Sequence, residues 1–204
     1  MKRLWSRESE AGGLSLGLEN SEKLAVTMSI RFALKSATDP LHEELDAALS
    51  RLNLGDRADY ARFLKFHART VPVIEKELAA GGLGGMVEGW CDSRRAGSIE
   101  RDLAELGEAM PRPAPAPLID GQAAMLGTAY VLEGSRLGGQ VLQQRLGEGL
   151  PAHFLNHPSG VATWKKLIAV LDRHLYSDDL IGQAKDAARR CFAWFLQESR
   201  EAGI

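Results

Sequence analysis

"LKSATDPLHEELD", residues 34–46, sets one histidine seven residues after a lysine and four before an aspartate. Leu41, Leu45, Ala48, Leu49 and Leu52 recur at helical spacing around it, so His42 lies beside an apolar stripe. Pro40 either occupies a first helical turn capped by Asp39 or kinks a helix that began near Ile30. His42 and Asp46, spaced i and i+4, are neighbours on one face. A carboxylate at that place accepts the Nδ1 proton and leaves the lone pair on Nε2, the tautomer that a metal ligand requires. Three readings follow: a satisfied core histidine, a catalytic base, or an axial ligand. By spacing alone the ordinary solvated His–Asp pair is the default.

Helical periodicity continues outward from this stretch. Asp56 caps a second helix carrying Tyr60, Phe63, Leu64, His67, Val71, Ile74 and Leu78; Pro72 kinks it and "AAGGLGG" ends it. A short helix is expected from Ser98 to Ala109, with Ile99, Leu103 and Leu106 inward. "PRPAPAPLID" reads as a stiff extended connector. Two amphipathic helices are expected over 161–175 and 178–200, the second burying Cys191 within "RRCFAWFL". Neither strand alternation nor a hairpin signal nor a repeat occurs. The expected fold is all-α, a single-domain helical bundle.

Between the connector and those last helices lies "GQAAMLGTAYVLEGSRLGGQVLQQRL". It suits a helix except that Gly134, Gly138 and Gly139 interrupt it. Each interior glycine costs ~1 kcal/mol relative to alanine, so three forfeit roughly 3 kcal/mol of propensity. Tight helix packing explains one such residue. Three in so short a span point to a bend, or to backbone lying close against a flat ligand. A phosphate loop fits poorly, since no Lys-Ser/Thr pair follows and no strand precedes.

The 204 residues suit one compact domain. With 25 basic and 27 acidic residues the formal net charge is −2, which lacks the basic excess of a nucleic-acid surface. Cys91 and Cys191 are far apart and form neither a metal-ligand spacing nor a disulfide framework. Two lone thiols fit a reducing, cytoplasmic setting. No apolar run is long enough to span a bilayer, and the N-terminus lacks the continuous apolar stretch of a signal peptide. Residues 1–27 read as a flexible extension ahead of a domain over 28–204, with Met28 as an alternative start.

The His42 and glycine stretches together resemble the haem oxygenase family, particularly its bacterial, biliverdin-producing members. The resemblance covers residues 30–200. "LKSATDPLHEELD" matches the family's first-helix pattern "LK.AT...H...[ED]", and Gly134, Gly138 and Gly139 match its distal "G...GG". Pro72 falls where the family's second helix is kinked. The resemblance implies His42 as the proximal ligand to haem iron, Asp46 as its acidic neighbour and Lys35 as a basic residue near a haem propionate. It implies a glycine-bent helix on the other face, with Ser135 and Arg136 beside the oxygen pocket. Animal-type members carry an aspartate where this chain has Ser135, and several bacterial members also lack that acid.

The activity so implied is cleavage of haem, at once substrate and cofactor, to biliverdin, carbon monoxide and iron. It consumes molecular oxygen. No flavin or nicotinamide fingerprint occurs, so electrons come from a separate reductase or ferredoxin-type donor. Iron acquisition and supply of biliverdin to a phytochrome are both compatible purposes. Ser135 leaves a non-catalytic haem-binding or haem-sensing protein of the same fold as the alternative. A haem-free interaction module or a di-iron oxidase is a further rival, but the latter's Glu-x-x-His motif is absent. His67 reads as a core position or one behind the site. His153, His157 and His174 have no cage-forming spacing. Lys165, Lys166, Arg189 and Arg190 are helix-surface residues, one or two of them in reach of a propionate.

Overall fold

The computed structural model describes residues 18–157 and 160–204, with side chains from Ile30 onward except those of 140, 160 and 161. The described residues form eight α-helices and one short 3₁₀ turn, with no strand among them. Of the extension expected over 1–27, residues 1–17 fall outside this description and the first helix takes up the chain at Leu18. Helix α1 spans Leu18–Leu49 and runs through Pro40. Of the two expectations for that proline, the interior position holds, with the helix starting upstream of Ile30. Beside it the Thr38 hydroxyl donates to the Leu34 carbonyl at 2.9 Å, and Arg189 Nε donates to the Ala37 carbonyl at 3.3 Å. These donors serve carbonyls on either side of Ser36, the residue whose carbonyl Pro40 cannot serve.

Helix α2, Arg57–Ala80, is capped as expected: the Asp56 carboxylate accepts from the amides of Ala58 and Asp59. It ends at Gly81, after which a single turn α3 (Leu83–Met86) and a 3₁₀ turn (Cys91–Ser93) lead to α4 (Ala96–Glu105). Helix α4 stops earlier than the expected Ala109. Gly107 adopts a left-handed φ of 67°, and the Glu108 amide returns to the Leu103 carbonyl at 2.9 Å. That closing bond terminates the helix ahead of the connector. The connector itself is pinned rather than loose: the Ala114 amide donates to the Arg69 carbonyl and Trp194 Nε1 donates to the Pro115 carbonyl.

Helix α5 (Gly121–Leu137) is apolar on nearly all sides and is buried continuously from Ala123 to Gly134, as the central element of a bundle must be. It packs on α8 (Asp178–Glu201), on α7 (Gly160–His174) and on α2. The α5–α8 contact is tight because Gly127 faces Ala184: a Cβ on Gly127 would sit 2.1 Å from the Ala184 carbonyl oxygen. Helix α1 lies across α8 and α7, burying Ile30, Leu34, Thr38 and Leu45. Cys191 is buried in this core, the filling role expected of it. The helical signal breaks at Gly138, and α6 (Gly139–Gln143) continues as a short segment. Among the described residues no helix is long and apolar enough to cross a membrane.

Candidate functional site

The α1 wall of the site is built within three helical turns. His42 Nδ1 lies 3.3 Å from Asp46 Oδ2, with the two side chains 21% and 39% exposed. The Asp46 carboxyl is raised from its usual range, chiefly by partial burial, against the pull of His42. Phe192 of α8 stands edge-on to the imidazole at 5.5 Å between centroids. Lys35 Nζ, two turns back on the same face, is 2.8 Å from both carboxylate oxygens of Asp39. Asp39, a possible cap by sequence, is therefore an ion-pair partner of Lys35.

A small cavity of about 20 Å³ joins this wall to the bundle centre, lined by Lys35, Thr38, Asp39, His42, Tyr130, Val131 and Phe192. His42, Lys35 and α5 are thus brought together at Tyr130 and Val131, just upstream of Gly134. Asp46, Gly134, Ser135, Gly138 and Gly139 do not line that cavity. The chemistry of the wall suits a flat, carboxylate-bearing ligand: an imidazole backed by a carboxylate, a cation at the rim, aromatic and aliphatic sides. Its size does not, since ligand pockets run to ~300–1,000 Å³.

At the end of α5, the α5–α6 junction exposes Ser135 and half-exposes Gly138, while Gly134 and Gly139 are buried. A Cβ on Gly138 would meet only the Ser135 carbonyl, at 3.6 Å; one on Gly139 would press on the Leu155 carbonyl at 3.2 Å. Gly138 therefore keeps its outer side open, whereas Gly139 lets the 151–157 segment approach.

Beneath the junction lies a set of buried charges of which the sequence reading had singled out only Arg136. Glu75, Arg95, Glu133 and Arg136 are all buried. Arg136 Nε is 2.6 Å from Glu133 Oε2, and Trp90 Nε1 donates to Glu133 Oε1 at 3.0 Å. Arg136, expected beside an oxygen pocket, is thus turned inward to its own helix. The Glu75 carboxylate accepts from the backbone amides of Arg95 and Ala96, and Arg136 Nη2 stands 4.0 Å from it. Arg95 Nη2 donates to the Leu132 carbonyl at 3.1 Å and to Ser135 Oγ at 3.2 Å. Burial, and then the nearby Arg136, pull the Arg95 guanidinium down to about 9, so it is charged at neutral pH. Burial raises Glu75 against the attraction of Arg95. A signal for this set existed: Glu75 sits on the apolar stripe of α2 and Glu133 inside the run "AYVLEG".

His67 lies against the same region. Its ring is 4.2 Å from Phe63 and 4.9 Å from both Phe66 and Phe154, and its Nδ1 lies 2.8 Å from the Phe63 carbonyl. Enclosure by these rings, with the Arg95 charge adding, pulls its pKa down to about 3. His153 meets Glu105 at 2.9 Å, and the amides of His153 and Phe154 donate to Asp102. Lys166 pairs with Glu88, and Arg189 pairs with Asp186 as well as reaching α1. Among the described residues no group of three or more His, Cys, Asp or Glu side chains could hold a metal ion.

No family model matches the chain. It is 32% identical over 146 residues to a haem oxygenase of Xanthomonas campestris pv. campestris, covering 69% of this chain and 88% of that protein. Its fold superposes on the NO- and CO-bound haem oxygenase from Neisseria meningitidis with a TM-score of 0.73, over 85% of this chain and 91% of the other, at 22% identity.

Proposed function

The chain belongs to the haem oxygenase family, and from that premise we propose that it cleaves haem to biliverdin, carbon monoxide and iron, using molecular oxygen and an external electron donor. The observation that carries this reading is His42, backed by Asp46, on the wall of a cavity that faces α5. Bound haem would supply the iron at which oxygen is reduced and the ring that is opened. The protein's own part is ligation, orientation and hydrogen bonding. Asp46 holds the His42 tautomer that leaves the Nε2 lone pair for iron. Phe192, edge-on, limits rotation of the imidazole. Lys35 exchanges Asp39 for a propionate carboxylate, one negative partner for another. On the other face, the open side of Gly138 allows the backbone near the ring, and Ser135 would serve as a donor there only by giving up its bond to the Leu132 carbonyl. Gly139, whose Cβ position faces the Leu155 carbonyl at 3.2 Å, supplies the close backbone packing that supports it.

A second reading keeps haem binding and drops turnover. Ser135 favours it: the hydroxyl already donates to the Leu132 carbonyl at 2.7 Å and accepts from Arg95, and carries no acid. Purified protein mixed with hemin separates the two. Binding shifts the Soret band; reductant and oxygen should then bleach it and yield a verdin absorbance. No Soret shift sinks both readings, while an unchanged bound spectrum after reductant and oxygen favours the second.

A further inference from the structure

The buried charges under the α5–α6 junction are costly, because each must leave water, and apolar side chains would hold α2 against α5 at least as well. Their arrangement gives them a use. Glu75 takes the backbone amides of Arg95 and Ala96, which fixes where the chain turns into α4. Phe154 lies 5.3 Å from the Arg95 guanidinium and covers it. The side chain is thus held from both ends, and its Nη2 is aimed at the last turn of α5. There it meets two acceptors that are themselves linked, the Leu132 carbonyl and Ser135 Oγ. Leu132 is the carbonyl that a regular helix gives to the Arg136 amide. A hydroxyl and a guanidinium converging on such a carbonyl compete with the helical bond, which weakens the helix in the turn before its break at Gly138. Glycine permits a bend in any direction; an arginine fork anchored 37 residues upstream in the chain selects one.

We infer that Arg95 is a positioning residue that sets the direction of the Gly134–Gly139 break and the orientation of the Ser135 hydroxyl, and so determines which edge of the haem ring is opened. The second half of this statement rests on the haem-cleavage reading above. The first half does not.

The test uses the full chain with Arg95→Lys, which keeps the charge and loses the planar fork. A charge-balanced Arg95→Met/Glu75→Gln variant covers the case in which Arg95→Lys fails to fold. In protein without haem, amide hydrogen exchange over residues 134–142 should speed up by about tenfold or more while α1 and α7 are unchanged. With haem, reductant and oxygen, the ratio of verdin isomers should change while haem affinity stays within about twofold of wild type. Ser135→Ala should shift the isomer ratio with a smaller change in exchange, since Leu132 keeps its arginine. Unchanged exchange over 134–142 in a folded variant overturns the positioning role. Faster exchange with the wild-type isomer ratio overturns the link to the product. A wild-type protein that yields no verdin sinks the haem-cleavage reading and the product link together, while the exchange arm still decides whether Arg95 holds the break.

Discussion

The α1 and α5 sides of the cleft reach a defined geometry by opposite means. On α1, His42, Asp46, Lys35 and Asp39 are partly exposed, pair within four residues, and depend on no other element for their spacing. On α5, the Ser135 hydroxyl is placed by Arg95, which is placed by Glu75, beside Glu133, Arg136 and Trp90, all buried and drawn from α2, the α3–α4 segment and α5. Exposed pairs are screened and worth ~0.2–1 kcal/mol, whereas breaking a buried one costs ~3–5 kcal/mol. The α1 side can therefore exchange partners when a ligand arrives, and the α5 side cannot. One side is free to re-pair and the other holds a shape.

The largest expected effect tests ligation. His42→Ala should abolish the haem Soret signature and verdin formation with helix content nearly unchanged, and added imidazole should restore part of the spectrum. A variant that turns haem over like wild type would make His67 the next candidate for the proximal role.

Next comes the asymmetry in stability. Glu133→Ala leaves Trp90 Nε1 without its partner and Arg136 with only the more distant Glu75, and should cost ~3–5 kcal/mol in urea unfolding. Asp46→Ala should cost no more than ~1 kcal/mol. Equal losses would erase the distinction between the two sides.

The glycines divide the same way. Gly127→Ala drives a methyl into the Ala184 backbone and should cost ~1–3 kcal/mol or more, since two helices must part. Gly138→Ala meets only an ordinary contact with the Ser135 carbonyl at a helical φ of −74° and should be neutral or gain up to ~1 kcal/mol. Thermal unfolding without haem decides it.

Acid should act through the enclosed side. His67 is neutral in the folded protein down to about 3, whereas the unfolded chain takes up a proton below 6.5. Stability is therefore full above the unfolded value and falls with pH between those limits, by up to ~1.4 kcal/mol per pH unit. His67→Gln should flatten that slope between about pH 6 and 4. Parallel pH curves for the two proteins would place His67 outside the enclosed region.

The smallest effect is Lys35→Glu, which loses the Asp39 pair and should change apo stability by only ~0.2–1 kcal/mol. Weaker haem binding or a shifted isomer mixture would tie Lys35 to a propionate; identical values would return it to the ordinary surface.

Much of this molecule was legible in its residues because the signals were local. The Asp56 cap, the stop at Gly81, the extended connector, the buried Cys191 and the helical spacing of His42 and Asp46 each follow from contacts within a few residues. The glycine interruption at Gly138 was legible too. The role of each glycine was not: Gly127, unremarked in the sequence, is pressed against the backbone of another helix, while Gly138 meets only the Ser135 carbonyl at ordinary distance. The end of α4 was misplaced because Gly107 closes the helix two residues past Glu105, ahead of a plausible continuation.

By itself the sequence determined the helical class, the element order and the α1 motif, since propensity, capping and i,i+4 spacing act along the chain. Only the tertiary structure decided that Glu75, Trp90, Arg95, Glu133 and Arg136 share one buried site, that Arg136 turns inward, and that the cavity beside His42 meets α5 at Tyr130 and Val131. The reason is range. A charge in an apolar run announces that it needs a partner, but the partner's identity is set by helix packing between residues 20 to 43 positions apart, and no local rule carries that information.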